Sequence, residues 1–320
     1  MELKKLKFID LFAGIGGFRY ALESFGCKCV FSSEWNKYCR QSYNLNFKDI
    51  PYGDITKINE EDIPSFDILC AGFPCQPFSI SGKQKGFEDT RGTLFFDIVR
   101  IVGYHKPKII FLENVKNLKA HNGGATFDVI SNTLDSMNYN IYYKVLNAKD
   151  YGLPQNRERI TIVCIRKDID NGNFKFPTPY NSFVTISDIK EEDSVTEKYI
   201  LKRKDIYIDE EKLKSAIKNG RTQKPIQIGI IGKGGQGNRI YHENGIGITL
   251  AASSGGAASK TGAYYINGKI RKLSPREAAR LQGFPEEFII IDNDSQALKQ
   301  FGNSVPINLL KEVFKGLKDI

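Results

Sequence analysis

The chain has 320 residues, 41% hydrophobic and 26% charged, with a net charge of +9, which excludes a disordered chain and leaves room for one large domain plus a smaller one. No run approaches the roughly 18 apolar residues of a membrane span. Met1 to Leu11 is too short and lysine-rich for a signal peptide, so the expectation is a cytoplasmic protein.

From Lys7 to Arg166, short β-branched or aromatic runs alternate with longer amphipathic stretches, the pattern of β-α units around a mostly parallel sheet. Strands are expected at 7–11, 29–33, 67–71, 109–113, 142–146 and 160–165, with helices at 17–25, 37–47, 93–102 and 125–137. In such sheets ligands bind beyond the carboxyl ends of the strands. The first strand ends in a glycine turn, Asp10 to Phe18, that lets backbone approach a ligand and aims a helix amino terminus at it. It is no nicotinamide fingerprint, because Arg19 stands where the third glycine belongs. Glu34, at the end of the second strand, is placed to accept hydrogen bonds from a ribose, and Asp54 closes a third segment. A nucleoside-bearing cofactor is the expectation, with plain packing as the alternative.

The third strand runs into Gly72-Phe-Pro-Cys-Gln-Pro77, a cysteine pinned between two prolines. Structural cysteines sit inside strands, as Cys70 and Cys164 are expected to, so Cys75 reads as a nucleophile. The loop from Ile80 to Gly92 has hinge-like glycines and basic residues suited to phosphate, a lid that could close on nucleic acid. The six cysteines form no C-x-x-C pair and there are only three histidines, so no zinc site or disulfide framework is spelled out. Glu113 arrives at the next strand end, beside the cysteine turn, unless it is only a helix cap. Arg157 and Arg159 enter a strand at period two, which would point both guanidiniums to one side, to hold phosphate or a carbonyl oxygen or to form a surface ion-pair ladder.

After about Ile186 a charged stretch gives way to a glycine-rich segment. Between Gly220 and Ser274, eight basic residues (Arg221, Lys224, Lys233, Arg239, Lys260, Lys269, Arg271, Lys272) face the single acid Glu243. Concentrated basic charge is the footprint of a polyanionic partner, although a solvated surface can look the same. The expected division is a first domain of 1–186, a second, differently built domain of 187–274, 275–302 as a hinge opening with a helix at 275–282, and 303–320 as a helix returning to the first domain.

Taken in order, the glycine turn, Pro-Cys-Gln, Glu-Asn-Val, Gln-x-Arg-x-Arg, the run from Arg271 to Glu277 and Gly302-Asn-Ser-Val-Pro306 resemble the bacterial C5-cytosine DNA methyltransferases over essentially the whole chain. The resemblance implies a Rossmann-like methyltransferase sheet with a smaller glycine-rich DNA-recognition domain. It implies methyl transfer from S-adenosylmethionine, without a metal, to carbon 5 of a cytosine flipped out of double-stranded DNA. Cys75 would attack carbon 6, Glu113 bind the exocyclic amine and N3, Arg159 hold the carbonyl oxygen and Arg157 organise the site. Cofactor residues carried over are Phe12, Gly17, Glu34, Trp35, Asp54, Ile55, Pro74, Leu94, Asn303 and Ser304, with a core aromatic as the other reading of Trp35. DNA contacts carried over are Ser81, Lys83, Arg91, Lys233, Gln236, Arg239, Thr249, Ser253 and Gly256, Gln236 filling the gap left by the base and Arg239 pairing with guanine. The segment from Leu250 to Gly262 departs from the pattern by carrying Ser253, Ala257 and Ala258 where bulky groups stand, so the target is GCGC or a related site such as GCNGC. A monomer acting in the bacterial cytoplasm alongside a separate restriction endonuclease is the implied setting. A nicotinamide oxidoreductase leaves Pro-Cys-Gln and the basic domain unexplained, and a tRNA methyltransferase of the same fold leaves the large glycine-rich domain without a task.

Overall fold

Residues 2–74, 94–180, 182–252 and 255–320 are described by a computed structural model. They fall into two units, one of residues 1–146, 158–177 and 310–320, the other of residues 147–157 and 178–309.

The first unit alternates β1 (Lys7–Leu11), α1 (Gly17–Glu23), β2 (Lys28–Ser33), α2 (Lys37–Phe47), β3 (Ile68–Gly72), α3 (Leu94–His105), β4 (Ile109–Val115), α4 (Ala125–Ser136), β5 (Tyr139–Asn147) and β6 (Glu158–Arg166). Ile68, Leu69, Cys70 and Ala71 are all fully buried, which is why β3 reads as a continuous apolar run rather than an alternation. The helices start on local chemistry: the Asn36 side chain accepts from the amides of Tyr38 and Cys39 and so begins α2. Phe95, Ile98, Ile101 and Val102 form the buried stripe of α3, joining Ile9, Leu11, Leu69, Ile110, Leu112 and Ile162 in one core.

The sheet runs β2-β1-β3-β4-β6-β5. It is parallel from β2 through β4, as expected, and becomes mixed where β6 joins β4 antiparallel. That reversal has a chemical result: the beginning of β6 lies beside the end of β4, with Val115 opposite Arg159. The anticipated strands are all present, β5 being longer at its amino end than 142–146.

The second unit contains α5 (Ile186–Ile189), α6 (Asp193–Thr196), β7 (Ile206–Ile208), α7 (Glu210–Asn219), β8 (Gln227–Ile231), β9 (Arg239–His242), β10 (Ala263–Ile266), β11 (Lys269–Lys272), α8 (Pro275–Gln282) and α9 (Asp294–Asn303). Its sheet runs β11-β10-β9-β8-β7 over a core that includes Ile228, Ile231, Ile240 and Ala263. Residues 275–302 hold two helices, of which only α8 was legible. A buried ion pair fixes the start of α8: Arg271 donates to both Glu277 oxygens, at 2.6 and 2.7 Å, while Glu277 also accepts from the Ser274 and Glu191 amides. Each lone pair so occupied offsets the cost of removing two charges from water. α10 (Ile307–Lys315) follows α9, and its Phe314 lies in the first unit, 5.2 Å ring to ring from Phe25. Among the described residues no helix is long and apolar enough to cross a membrane.

Candidate active site

The glycine turn and Glu34 form one hydrogen-bonded unit at the carboxyl end of β1 and β2. Gly14 (φ +55°) and Gly16 (φ +84°) take the left-handed backbone that glycine tolerates, and Phe12 adopts it too, at φ +55°. The Gly14 amide donates to Glu34 Oε2 at 2.9 Å and the Asn36 amide to Oε1 at 2.8 Å. Glu34 is buried, and burial raises its pKa although those amides pull the other way. Gly17 is the buried first residue of α1. Trp35 is 80% exposed, so the core reading of that aromatic does not hold. Asp54 caps a 3-10 turn, its Oδ1 accepting from the Thr56 amide and hydroxyl, and this seats Ile55 in the core. Leu94 is packed, half-buried, at the start of α3, and Pro74 is exposed.

At the ends of β3 and β4, Gly72 is the register partner of Glu113. Asn114, which sequence reading passed over within Glu-Asn-Val, donates from Nδ2 to the Phe73 carbonyl at 2.8 Å and accepts the Val115 amide. It therefore ties the end of β4 to the segment that leads to position 75. Its signal in the sequence is an amide side chain at a strand end where the backbone ladder runs out of partners. The Glu113 carboxylate is buried and pairs with Arg159, Oε1 to Nε at 3.1 Å, and Arg159 Nη1 donates to the Glu158 carbonyl. Cys70 and Cys164 are fully buried inside their strands, and burial pushes both thiols well up, which keeps them protonated and unreactive. Cys75 lies outside the described residues, as do Ser81, Lys83, Arg91 and Ser253.

Arg157 does not share a direction with Arg159. It precedes the first residue of β6, so the period-two argument does not reach it. Its buried guanidinium, in the second unit, donates to the carbonyls of Leu250 (3.2 Å), Gly302 (3.1 Å) and Ser304 (2.6 Å). The neighbouring Gln155, fully buried, accepts the Leu250 amide and donates to the Leu281 carbonyl, a second anchor that sequence reading passed over. Asn303, exposed, ends α9, and Ser304, buried, caps it.

In the glycine-rich region Lys233 and Arg239 are exposed, and of Gln236 only the backbone, in the 3-10 turn Gln236–Asn238, is described. Thr249 is exposed, but its hydroxyl donates to the Asn156 carbonyl at 2.6 Å. Gly256 (φ +97°) packs main chain to main chain against the other loop: a Cβ on it would stand 2.6 Å from the Gly237 carbonyl oxygen. The Ala258 amide donates to that oxygen, and the Ala257 amide donates to the Asn238 side chain.

The chain is 53% identical over 312 residues to the Type II methyltransferase M.HhaI of Haemophilus parahaemolyticus, covering 98% of this chain and 94% of that one. It is 44% identical over 329 residues to the Type II methyltransferase M.HpaII of Haemophilus parainfluenzae, covering 98% and 89%. Its fold matches that of a DNMT2 mutant from Spodoptera frugiperda, TM-score 0.73 at 19% identity over 98% of this chain and 100% of that one. Residues 6–319 match the model of the C-5 cytosine-specific DNA methylases, and the chain belongs to that family of DNA methyltransferases.

Proposed function

We propose that the protein methylates carbon 5 of a cytosine turned out of duplex DNA, with Cys75 as the nucleophile, as the modification enzyme of a restriction-modification system. The observation that carries the reading is the buried Glu113–Arg159 pair at the end of β4, in register with Gly72, three residues before Cys75. Carbon 5 of cytosine is too weak a nucleophile until a thiolate adds at carbon 6; Cys75 supplies that addition and is expelled again when carbon 5, once methylated, gives up its proton to water. The Glu113 carboxylate accepts from the exocyclic amine and from N3 once it is protonated, so it favours the electron-rich ring that follows addition. Arg159 holds Glu113 in place and offers its remaining N–H groups to the base carbonyl. Arg157 contributes by fixing the backbone around Leu250, Gly302 and Ser304.

The chain's residues suit a nucleoside methyl donor. S-adenosylmethionine, when bound, supplies an electrophilic methyl group carried on a sulfonium. Glu34 is oriented by two backbone amides with lone pairs left for ribose hydroxyls, Gly14 has open space where a Cβ would stand, and the exposed Trp35 offers a face for adenine. Asp54 Oδ2 is the oxygen left for the adenine amine. Phe12, Gly17, Ile55, Pro74, Leu94, Asn303 and Ser304 complete the set on the strength of the sequence motifs. Lys233, Gln236, Arg239, Thr249, Ser253 and Gly256, with Ser81, Lys83 and Arg91, are assigned to DNA, and GCGC or a related site is the target.

Bisulfite sequencing of plasmid DNA from cells expressing the wild-type chain or Cys75→Ser tests this. Methylcytosine at one short motif, with wild type only, is expected. A folded wild type that binds S-adenosylhomocysteine yet leaves the DNA unmodified overturns the DNA reading.

A further inference from the structure

Arg19, the residue that breaks the dinucleotide-type fingerprint, has no task in the reaction just described. Its side chain is 12% exposed, and its guanidinium is held by Glu23 at 2.8 Å, Asp49 at 2.6 Å and the Tyr43 hydroxyl at 3.3 Å. It also lies over the Phe47 ring, 4.5 Å from the centroid. Glu23 is on its own helix, whereas Tyr43 and Phe47 are on α2 and Asp49 just follows it, so Arg19 clamps α1 to α2.

The clamp reaches the site by two routes. Phe47 is packed so closely on the glycine turn that a Cβ at Gly16 would run into its ring. At its other end, α2 begins at Asn36, whose amide holds one oxygen of Glu34 while the Gly14 amide holds the other. Glu34 is thus gripped between two groups, one in the turn before α1 and one at the cap of α2, and the pairing of those helices sets their separation.

We propose that Arg19 is a positioning residue for Glu34, acting on recognition of the ribose through the α1–α2 clamp. The inference rests on the reading that Glu34 takes the ribose hydroxyls. Arg19→Met keeps the apolar stem against Phe47 and removes the three polar partners.

Calorimetric titration of S-adenosylhomocysteine into the wild type, Arg19→Met, Glu34→Gln and the double variant tests the coupling. Each single change is expected to weaken binding roughly tenfold, and the double variant to be little weaker than Glu34→Gln alone, since coupled residues are not additive. In turnover, Arg19→Met raises KM for S-adenosylmethionine with kcat held within about twofold, the signature of lost ground-state binding. Weakened Glu34→Gln beside an unchanged Arg19→Met, or losses that simply add, overturns the clamp and leaves the ribose reading standing. An unweakened Glu34→Gln overturns the ribose reading and the inference with it. Should Arg19→Met not fold, Tyr43→Phe with Asp49→Asn strips the two polar partners that α2 and its end supply while Arg19 and Glu23 stay, and the same cycle decides.

Discussion

Arg159 Nε lies 3.1 Å from Glu113 Oε1, and the two residues are diagonal neighbours across antiparallel strands, since Glu113 is the register partner of Thr161 and Arg159 of Val115. The pair exists because β6 runs against β4 and so delivers its first residues to the end where the parallel strands also finish. A carboxylate and a guanidinium, each nearly buried, are thereby fixed by the sheet itself.

Arg159→Ala is expected to lower kcat about 10²- to 10³-fold, the usual result of removing one preorganised donor from a reacting carbonyl. Arg159→Lys recovers only part of that, because an ammonium cannot hold Glu113 and a base carbonyl in one planar fork. Single-turnover methylation of a short duplex measures both. An Arg159→Ala enzyme with undiminished single-turnover rate removes this residue from the chemistry.

Arg157→Met is expected to act on stability first. It leaves three buried carbonyls without their donor, a loss of about 3–5 kcal/mol for a broken buried charged network. Denaturant unfolding should show the deficit in Arg157→Met and not in Arg159→Ala. The opposite ranking would make Arg157 a group that acts on the base.

Asp10 gives a dependence on pH with a definite sign. It is fully buried in β1, neither oxygen meets a hydrogen-bond partner among the described residues, and its pKa is raised well above 3.8. Burial is the main cause; the Arg19 charge lowers it and the Glu34 charge raises it. Because the folded state holds the proton more tightly than the unfolded chain, stability is greatest below the ordinary aspartate range. It falls as pH rises from there toward the raised folded value, by up to about 1.4 kcal/mol per pH unit. Asp10→Asn removes that slope, so unfolding free energies of wild type and variant should diverge in the variant's favour as pH rises above the ordinary aspartate range. Parallel curves would show that Asp10 keeps an ordinary pKa.

The strands and most helices of the first unit were legible because each is a run whose period matches its environment, as with the wholly apolar β3. α9 was missed since its buried residues are only Ala297, Gln300, Phe301 and Gly302, too thin a stripe to announce a helix. In the site, Glu34 and Glu113 could be placed from the strands that end on them. The role of Arg157 could not, because the carbonyls it holds are 93, 145 and 147 residues further along the chain, and backbone oxygens carry no sequence signal. Trp35 shows the converse, since a tryptophan after a strand suits either core or surface and only the fold decides that it faces outward.

The two glycine-rich loops touch through their main chains, Gly256 against Gly237, and through the Asn238 side chain, which accepts the Ala257 amide. Such a contact fixes the length of each loop by the course of the other. Insertions or deletions in one therefore unseat both, whereas exchanges at exposed positions outside the contact, such as 233 and 239, leave the platform whole. Variants of this chain with exchanged residues at those positions are expected to keep the fold of the second unit, and variants with a residue added to or removed from either loop to lose stability.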